Sequence, residues 1–363
     1  MYSERIARVR KNLAAFNING FLITDGDNLK YLTGFYGGTG DGVLLIGPDQ
    51  TALITDARYE TDFRDHLPEG VELLITRDYY GVAMLVAKRY KINNLGFEES
   101  LPFRIFDFLD ETFEGVDADS DIVPVPELVG WLRQVKDANE LAALRRAAQV
   151  SVDAYNEMLP MLHAGMTERE IANLLDRLVK ARGAEKASFD TIVASGVRGA
   201  LPHGEATDKK IMPGELVTVD FGYFVDGYTS DITRTFAVGQ IDDESRKIYD
   251  IVKTANEKAI SVIKAGISGT SIDEAAREII ADAGYGKEFN HSTGHGVGLA
   301  IHEGPAVSAN SDDQIEAGML LTIEPGIYVP NHVGVRIEDD IIVTADGFEN
   351  LTAGITKDLV VIN

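Results

Sequence analysis

Along roughly the first third of the chain, short apolar runs alternate with stretches whose apolar positions recur every three or four residues. Gly20-Phe-Leu-Ile-Thr, Gly42-Val-Leu-Leu-Ile, Thr51-Ala-Leu-Ile-Thr and Val71-Glu-Leu-Leu-Ile read as strands, and residues 3–16, 57–66 and 78–90 carry helical spacing. Residues 1–123 are therefore predicted to form a compact α/β unit. Pro124-Val-Pro126 reads as extended chain, and residues 124–136 are expected to be a linker. Beyond Trp131 the pattern changes to long helices. Asp137-Ala-Asn-Glu140 is a capping box ahead of an apolar-periodic run to about Leu159, and Thr167-Glu-Arg-Glu170 caps a second helix to about Arg182. Strands follow near 189–194 and 216–236.

The order then repeats. A helix over 243–264 ends at Lys-Ala-Gly266, as the earlier one ended at His-Ala-Gly165, and Ser271-Ile-Asp-Glu274 opens the matching second helix. Ile211-Met-Pro-Gly-Glu-Leu-Val-Thr-Val-Asp220-Phe-Gly222 aligns with Ile315-Glu-Ala-Gly-Met-Leu-Leu-Thr-Ile-Glu324-Pro-Gly326, so that Asp220 falls on Glu324. A period this long signals duplication of a half-domain rather than a solenoid. Residues 137–363 are predicted to be two pseudo-symmetric halves, each two helices and a strand hairpin. Helices on one face of a mostly antiparallel sheet would bury both elements.

Composition narrows the class. A chain of 363 residues suits two domains, and 45% hydrophobic with 25% charged residues is ordinary globular material. A formal charge of −24 argues against nucleic-acid and anionic-membrane partners, which need a basic footprint. No cysteine is present, which excludes disulfides, thiolate metal sites and a Cys nucleophile. The charged start and the lack of a long apolar run lead to the expectation of a soluble cytoplasmic protein.

The chemistry gathers on the hairpins. In Val217-Thr-Val-Asp220-Phe-Gly-Tyr-Phe-Val-Asp226-Gly227-Tyr-Thr-Ser-Asp231, the Asp-Gly pair suits a type I′ turn. Val225 then pairs with Tyr228, Gly222 lies opposite Asp231, and Asp220 is diagonal to Asp231 on one face, roughly 7–8 Å away at the backbone. Alone, these are two solvated acids. The second hairpin, however, repeats them as Glu324 and Glu338. If the hairpins stack, four carboxylates meet, and burying them uncompensated is prohibitive. Divalent cations resolve this, and two metals sharing carboxylates is the economical solution. Four of the seven histidines fall in Leu201-Pro-His203-Gly and in His291-Ser-Thr-Gly-His295-Gly-Val-Gly-Leu-Ala-Ile-His302-Glu-Gly-Pro. The glycines at 294, 296 and 298 rule out the helical zinc-protease motif. An oxygen-rich set with a single imidazole favours Mn or Co, with Zn left open. The glycine-rich run Gly34–Gly42, read as lying between strands, lacks a phosphate-binding Lys. It is either a mobile loop reaching a neighbouring site or a plain connection.

At these residues the whole chain resembles the pita-bread metallopeptidases, which include aminopeptidase P, prolidase and methionine aminopeptidase. Asn28-Leu-Lys-Tyr-Leu-Thr-Gly-Phe35 is similar to the creatinase-type N-terminal domain of the proline-specific branch. The resemblance implies a two-domain α/β protein: a creatinase-type domain over 1–123 and a pseudo-twofold pita-bread α+β catalytic domain over 137–363. It further implies two metal ions. Asp220 would bind one in bidentate fashion, Asp231 and Glu338 would bridge both, and His295 and Glu324 would complete the other. A hydroxide between the ions would attack the scissile carbonyl, with Glu324 moving its proton. His203 and His302 match outer histidines that steady the substrate, and His291 another near the pocket. Tyr223, Thr233, Tyr328 and Arg336 match groups that orient ligands. The substrate implied is a small peptide with proline in second place, and the assembly a homodimer. Many prolidases carry an Arg soon after His-Glu-x-Pro, whereas His302-Glu-Gly-Pro305 continues with Ala306-Val-Ser and meets no Lys or Arg before Arg336. This departure, with the form of the Gly34–Gly42 loop, leads to the expectation of an Xaa-Pro aminopeptidase, with Xaa-Pro dipeptidase as the alternative. Relatives of this fold that only bind peptides have lost metal ligands; this chain retains all five types.

Overall fold

The computed structural model describes residues 1–113 and 120–363. Contacts divide the chain into Met1–Arg133 and Gln134–Asn363.

In the first unit, strands β1 (Gly20–Ile23), β2 (Gly42–Ile46), β3 (Thr51–Thr55), β4 (Val71–Ile75), β5 (Asn94–Glu98) and β6 (Asp121–Val125) form one sheet in the order β4-β3-β2-β1-β5-β6. Helices α1 (Tyr2–Asn12), α2 (Gly26–Thr33), α3 (Ala57–Phe63), α4 (Tyr79–Arg89) and α5 (Phe103–Thr112) accompany it. Leu22, Val43, Leu45 and Ile54 share a core with Ala83 and Ala87 of α4, as expected of strands buried on both faces. The stretch expected to be a linker is ordered structure instead. Pro124 and Val125 end β6, where Pro124 lies opposite Phe97, and helix α6 (Leu128–Gln134) follows. The sequence signal misled because β6 is an edge strand, where a proline whose nitrogen faces away from the neighbouring strand costs no ladder bond. The glycine-rich loop joins α2 to β2 rather than two strands. Asp41 fastens it within its own unit, accepting from Gly38 N at 3.1 Å and pairing with Arg58 at 2.8 Å.

The second unit contains the duplication. Helices α7 (Ala138–Met158) and α8 (Glu168–Ala181) precede β7 (Lys186–Ala187), β8 (Ile192–Ser195), β9 (Leu216–Phe221), β10 (Tyr223–Val225), β11 (Tyr228–Thr229) and β12 (Ile232–Val238). Helices α9 (Asp243–Ser261) and α10 (Gly269–Asp282) precede β13 (Gly294–Gly296), β14 (Glu303–Val307), β15 (Leu320–Ile323), β16 (Gly326–Val329), β17 (Val333–Arg336), β18 (Asp339–Val343) and β19 (Phe348–Asn350). The short β20 (Val361–Ile362) closes the chain alongside β12. Both capping boxes read from the sequence are formed, at Asp137 and Thr167. Helix α10 starts earlier than expected, because Ser268 rather than Ser271 is the cap and accepts from Ser271 N. Apolar faces of α7 and α8 pack on β9 and β12, and those of α9 and α10 on β15 to β18.

The hairpin registers fix the site. Asp226 and Gly227 have φ of 51° and 75°, the positive pair a type I′ turn requires, and Val225 pairs with Tyr228. Phe221 opposite Ile232 and Phe224 opposite Thr229 together set Gly222 across from Asp231. In the second hairpin, Ile323 opposite Asp339 and Gly326 opposite Arg336 set Glu324 across from Glu338. The halves are thus not identical. Thr233, opposite Asp220, stands where Glu338 stands, and Asp231 stands where Arg336 stands.

Candidate metal centre

Asp220, Asp231, Glu324 and Glu338 line a single cavity of about 490 Å³ between the two hairpins. His203, His291, His295, His302 and Arg336 share its wall. Asp231, Glu324 and Glu338 lie between strands, where each hairpin ladder breaks, and Asp220 is next to last in β9.

His295 defines the chemistry. Its Nδ1 lies 3.0 Å from Gly296 O, a carbonyl that only accepts, so the proton sits on Nδ1 and the Nε2 lone pair is free. That lone pair faces Asp231 Oδ2 and Glu324 Oε1, each at 3.6 Å. Three electron-rich atoms at such spacing repel one another unless a proton or a metal cation lies between them. Asp231, His295 and Glu338 offer ligand atoms all within 4.8 Å of one another. Asp220 Oδ1 is buried with no hydrogen-bond partner. The donor set therefore fits divalent metal, as hard oxygen ligands with one imidazole.

Electrostatics agree. Burial, and then the charge of Glu338, holds the Asp231 carboxyl well above the ordinary carboxylate range. Burial, with Glu324 and Asp220 adding to it, does the same to Glu338. Burial pushes Glu324 up to about 8. In His291 burial disfavours the imidazolium, with Arg336 reinforcing it, and the group is pushed down to about 4.

Arg336 is the hub around these acids. Its Nη2 lies 2.5 Å from Asp220 Oδ2, its Nη1 donates to Tyr328 OH at 2.7 Å and to Pro202 O at 3.2 Å, and its Nε donates to Thr233 Oγ1 at 3.1 Å. Thr233 Oγ1 in turn donates a hydrogen bond to Glu338 Oε2 at 2.7 Å. The Tyr328 hydroxyl, accepting from Arg336, donates to His291 Nε2 at 2.9 Å, and His291 Nδ1 donates to Ser292 O at 2.8 Å. The His302 ring lies edge-on to that of His295, with centroids 4.5 Å apart.

Tyr223 is the exception among the expected residues. It is fully buried beneath α8, and its hydroxyl lies 3.4 Å from Thr191 Oγ1 rather than at the acidic cluster. An odd offset from Asp220 sends it to the opposite face of the ladder. Two residues escaped the sequence reading. Asp340 Oδ2 accepts from Asp231 N at 3.0 Å, and Thr322 Oγ1 accepts from His295 N at 3.1 Å. Asp340 shares a strand face with Glu338, and that alternation was the available signal.

Comparison with known proteins agrees with this geometry. Residues 142–345 match the model of metallopeptidase family M24, and residues 5–135 that of the creatinase/prolidase N-terminal domain. An Xaa-Pro dipeptidase of Pyrococcus horikoshii is 37% identical over 96% of this chain and 97% of its own. The structure of an Xaa-Pro dipeptidase from Bacillus anthracis aligns with a TM-score of 0.94 at 39% identity, covering 100% of both chains. That of an X-Pro aminopeptidase from Thermotoga maritima aligns with a TM-score of 0.88 at 35% identity, over 98% of this chain and 99% of that one. Enzymes of this family use divalent metals, as the donor set here would require. With its N-terminal creatinase-type unit and its pita-bread catalytic unit, the chain belongs to metallopeptidase family M24.

Proposed function

We propose that this chain is a metal-dependent Xaa-Pro dipeptidase in which Asp220, Asp231, His295, Glu324 and Glu338 hold two divalent ions. The observation that carries the reading is the convergence of four carboxylates, three of them buried, on the one cavity that holds the free nitrogen of His295. One ion would leave that charge under-neutralised. Manganese is the ion proposed, with cobalt and zinc as competitors. Bound there, such ions supply Lewis acidity toward a carbonyl and acidify water. The protein's own groups do the rest. Glu324, facing the cavity beside His295, takes and returns a proton. His302 and His203 donate toward the carbonyl oxygen as charge develops on it. Arg336 keeps Asp220 aligned. Its nitrogens are already engaged by Asp220, Tyr328, Thr233 and Pro202 O, which argues against its gripping a substrate carboxylate.

Dipeptide specificity is supported by the relatives named Xaa-Pro dipeptidase, which match nearly end to end. They weigh against the aminopeptidase expected from the missing Arg after Pro305. A cavity of about 490 Å³ suits a small ligand. The aminopeptidase remains the second reading, favoured by the Thermotoga maritima structure and by the absence of Lys or Arg between His302 and Arg336. Hydrolysis of an Xaa-Pro dipeptide beside an Xaa-Pro-Xaa tripeptide, after chelation and addition of Mn²⁺, separates them. Preference for the dipeptide is expected. Preference for the tripeptide installs the second reading, and cleavage of neither with metal bound removes proline specificity.

A further inference from the structure

The segment 196–206, which carries His203 to the cavity wall, is packed through its backbone at Gly199, against Gly334, and through Ala206, while its larger aliphatic side chains stay in solvent. Its apolar residues Val197 and Leu201 are 56% and 52% exposed. Beyond those contacts and the backbone bridge of Glu205 to Ile192, its position depends on polar ties. At the tip, Pro202 O accepts from Arg336. At the base, both ends converge on one side chain, Glu168 in the first turn of α8, which is 0% exposed.

Glu168 Oε1 accepts from Ser195 N at 2.9 Å and Ser195 Oγ at 2.8 Å, on the entering strand. Its Oε2 accepts from Thr207 N at 3.1 Å and Thr207 Oγ1 at 2.6 Å, on the departing chain. Arg198, within the segment, reaches both oxygens at 3.2 and 3.1 Å and also donates to Glu205 O at 2.5 Å. A buried carboxylate with donors on every side is costly to assemble, and α8 already has its cap in Thr167. The acid is not required to start the helix. It clamps the ends of the His203 segment.

We infer that Glu168 is a positioning residue for the reaction, acting through His203; this rests on the dipeptidase reading above and on the role given there to His203. The carboxylate sets where the imidazole stands relative to the cluster. Displacement of such a group by about 1 Å from a remote change costs on the order of 10²-fold in rate.

The test is a double-mutant cycle with a structural readout beside it. Glu168→Gln keeps the size but places an amide nitrogen, which cannot accept, where donors converge. It should lower kcat on an Xaa-Pro dipeptide by on the order of 10²-fold at unchanged metal content, and add little in a His203→Ala background. Amide exchange over 196–206 should quicken in Glu168→Gln, a result independent of any substrate. If Glu168→Gln fails to fold, Thr207→Val removes one donor to Glu168, along with the acceptor of Lys209 N, and should show a smaller loss, again absent without His203. Losses that add in the double variant, or unchanged exchange, overturn the inference and leave the dipeptidase reading standing. A His203→Ala enzyme with full turnover overturns both the role of that histidine and the inference.

Discussion

At the scale of single residues, the centre is a set of groups that are stable together only with positive charge among them. Asp231 illustrates it. Its backbone N–H is tied to Asp340, and its carboxyl faces His295 Nε2 at 3.6 Å. Asp231→Asn should lower metal content and abolish turnover; an enzyme that keeps both would remove Asp231 from the centre. A second prediction concerns the metal-free protein. Burial raises the folded-state pKa of Asp231, Glu324 and Glu338 above ordinary values, to about 8 for Glu324. Between the usual carboxylate range and about pH 8, the folded state then binds more protons than the unfolded chain, so stability falls as pH rises through that window. The chelated protein should melt at a higher temperature at pH 6 than at pH 8. Because binding displaces those protons, metal affinity should rise with pH over the same interval. A melting temperature that climbs toward pH 8 would contradict the assignment of these carboxyls.

At the scale of elements, the hairpins and the His203 segment meet by backbone contact. A Cβ at Gly334 in β17 would stand 1.7 Å from Gly199 O and 2.2 Å from its carbon, with backbone on both sides of the clash. Gly334→Ala should therefore cost at least about 2 kcal/mol in urea unfolding. Gly347→Ala, where the nearest atom is Thr344 Oγ1 at 3.9 Å, should stay within about 0.5 kcal/mol. Equal costs would mean that the close approach carries no weight. These elements also mark what could be read in advance. Alternation and an Asp-Gly turn are local, so the register bringing Asp220 and Asp231 to one face was legible, as was the repeat that paired them with Glu324 and Glu338. Tyr223 was misplaced because resemblance overrode its parity on the strand. Pro124 was misjudged because nothing local tells an edge strand from a linker. Asp340 left only its alternation with Glu338 as a signal, and Glu168 and most partners of Arg336 left none, since their contacts join residues from 27 to more than a hundred positions apart.

At the scale of the whole molecule, no described helix is long and apolar enough to cross a membrane, and the proposed metal chemistry belongs to Gln134–Asn363. Ions bind only the folded form of that unit, so their stabilisation should fall there. Hydrogen exchange of the chelated protein, repeated with Mn²⁺, should show protection gained across 217–238 and 320–343 and none within 1–113. Gains spread evenly along the chain would count against a site confined to the hairpins. The duplication itself carries a last consequence. A peptide has a direction, an amine at one end and a carboxylate at the other. Two identical halves facing each other across a centre would present the same surface to either orientation and could not tell a first residue from a second. Putting Arg336 where its counterpart has Asp231, and Glu338 where its counterpart has Thr233, gives an ancestral twofold a front and a back. An exopeptidase could arise from a doubled half-domain only once the copies had stopped being interchangeable.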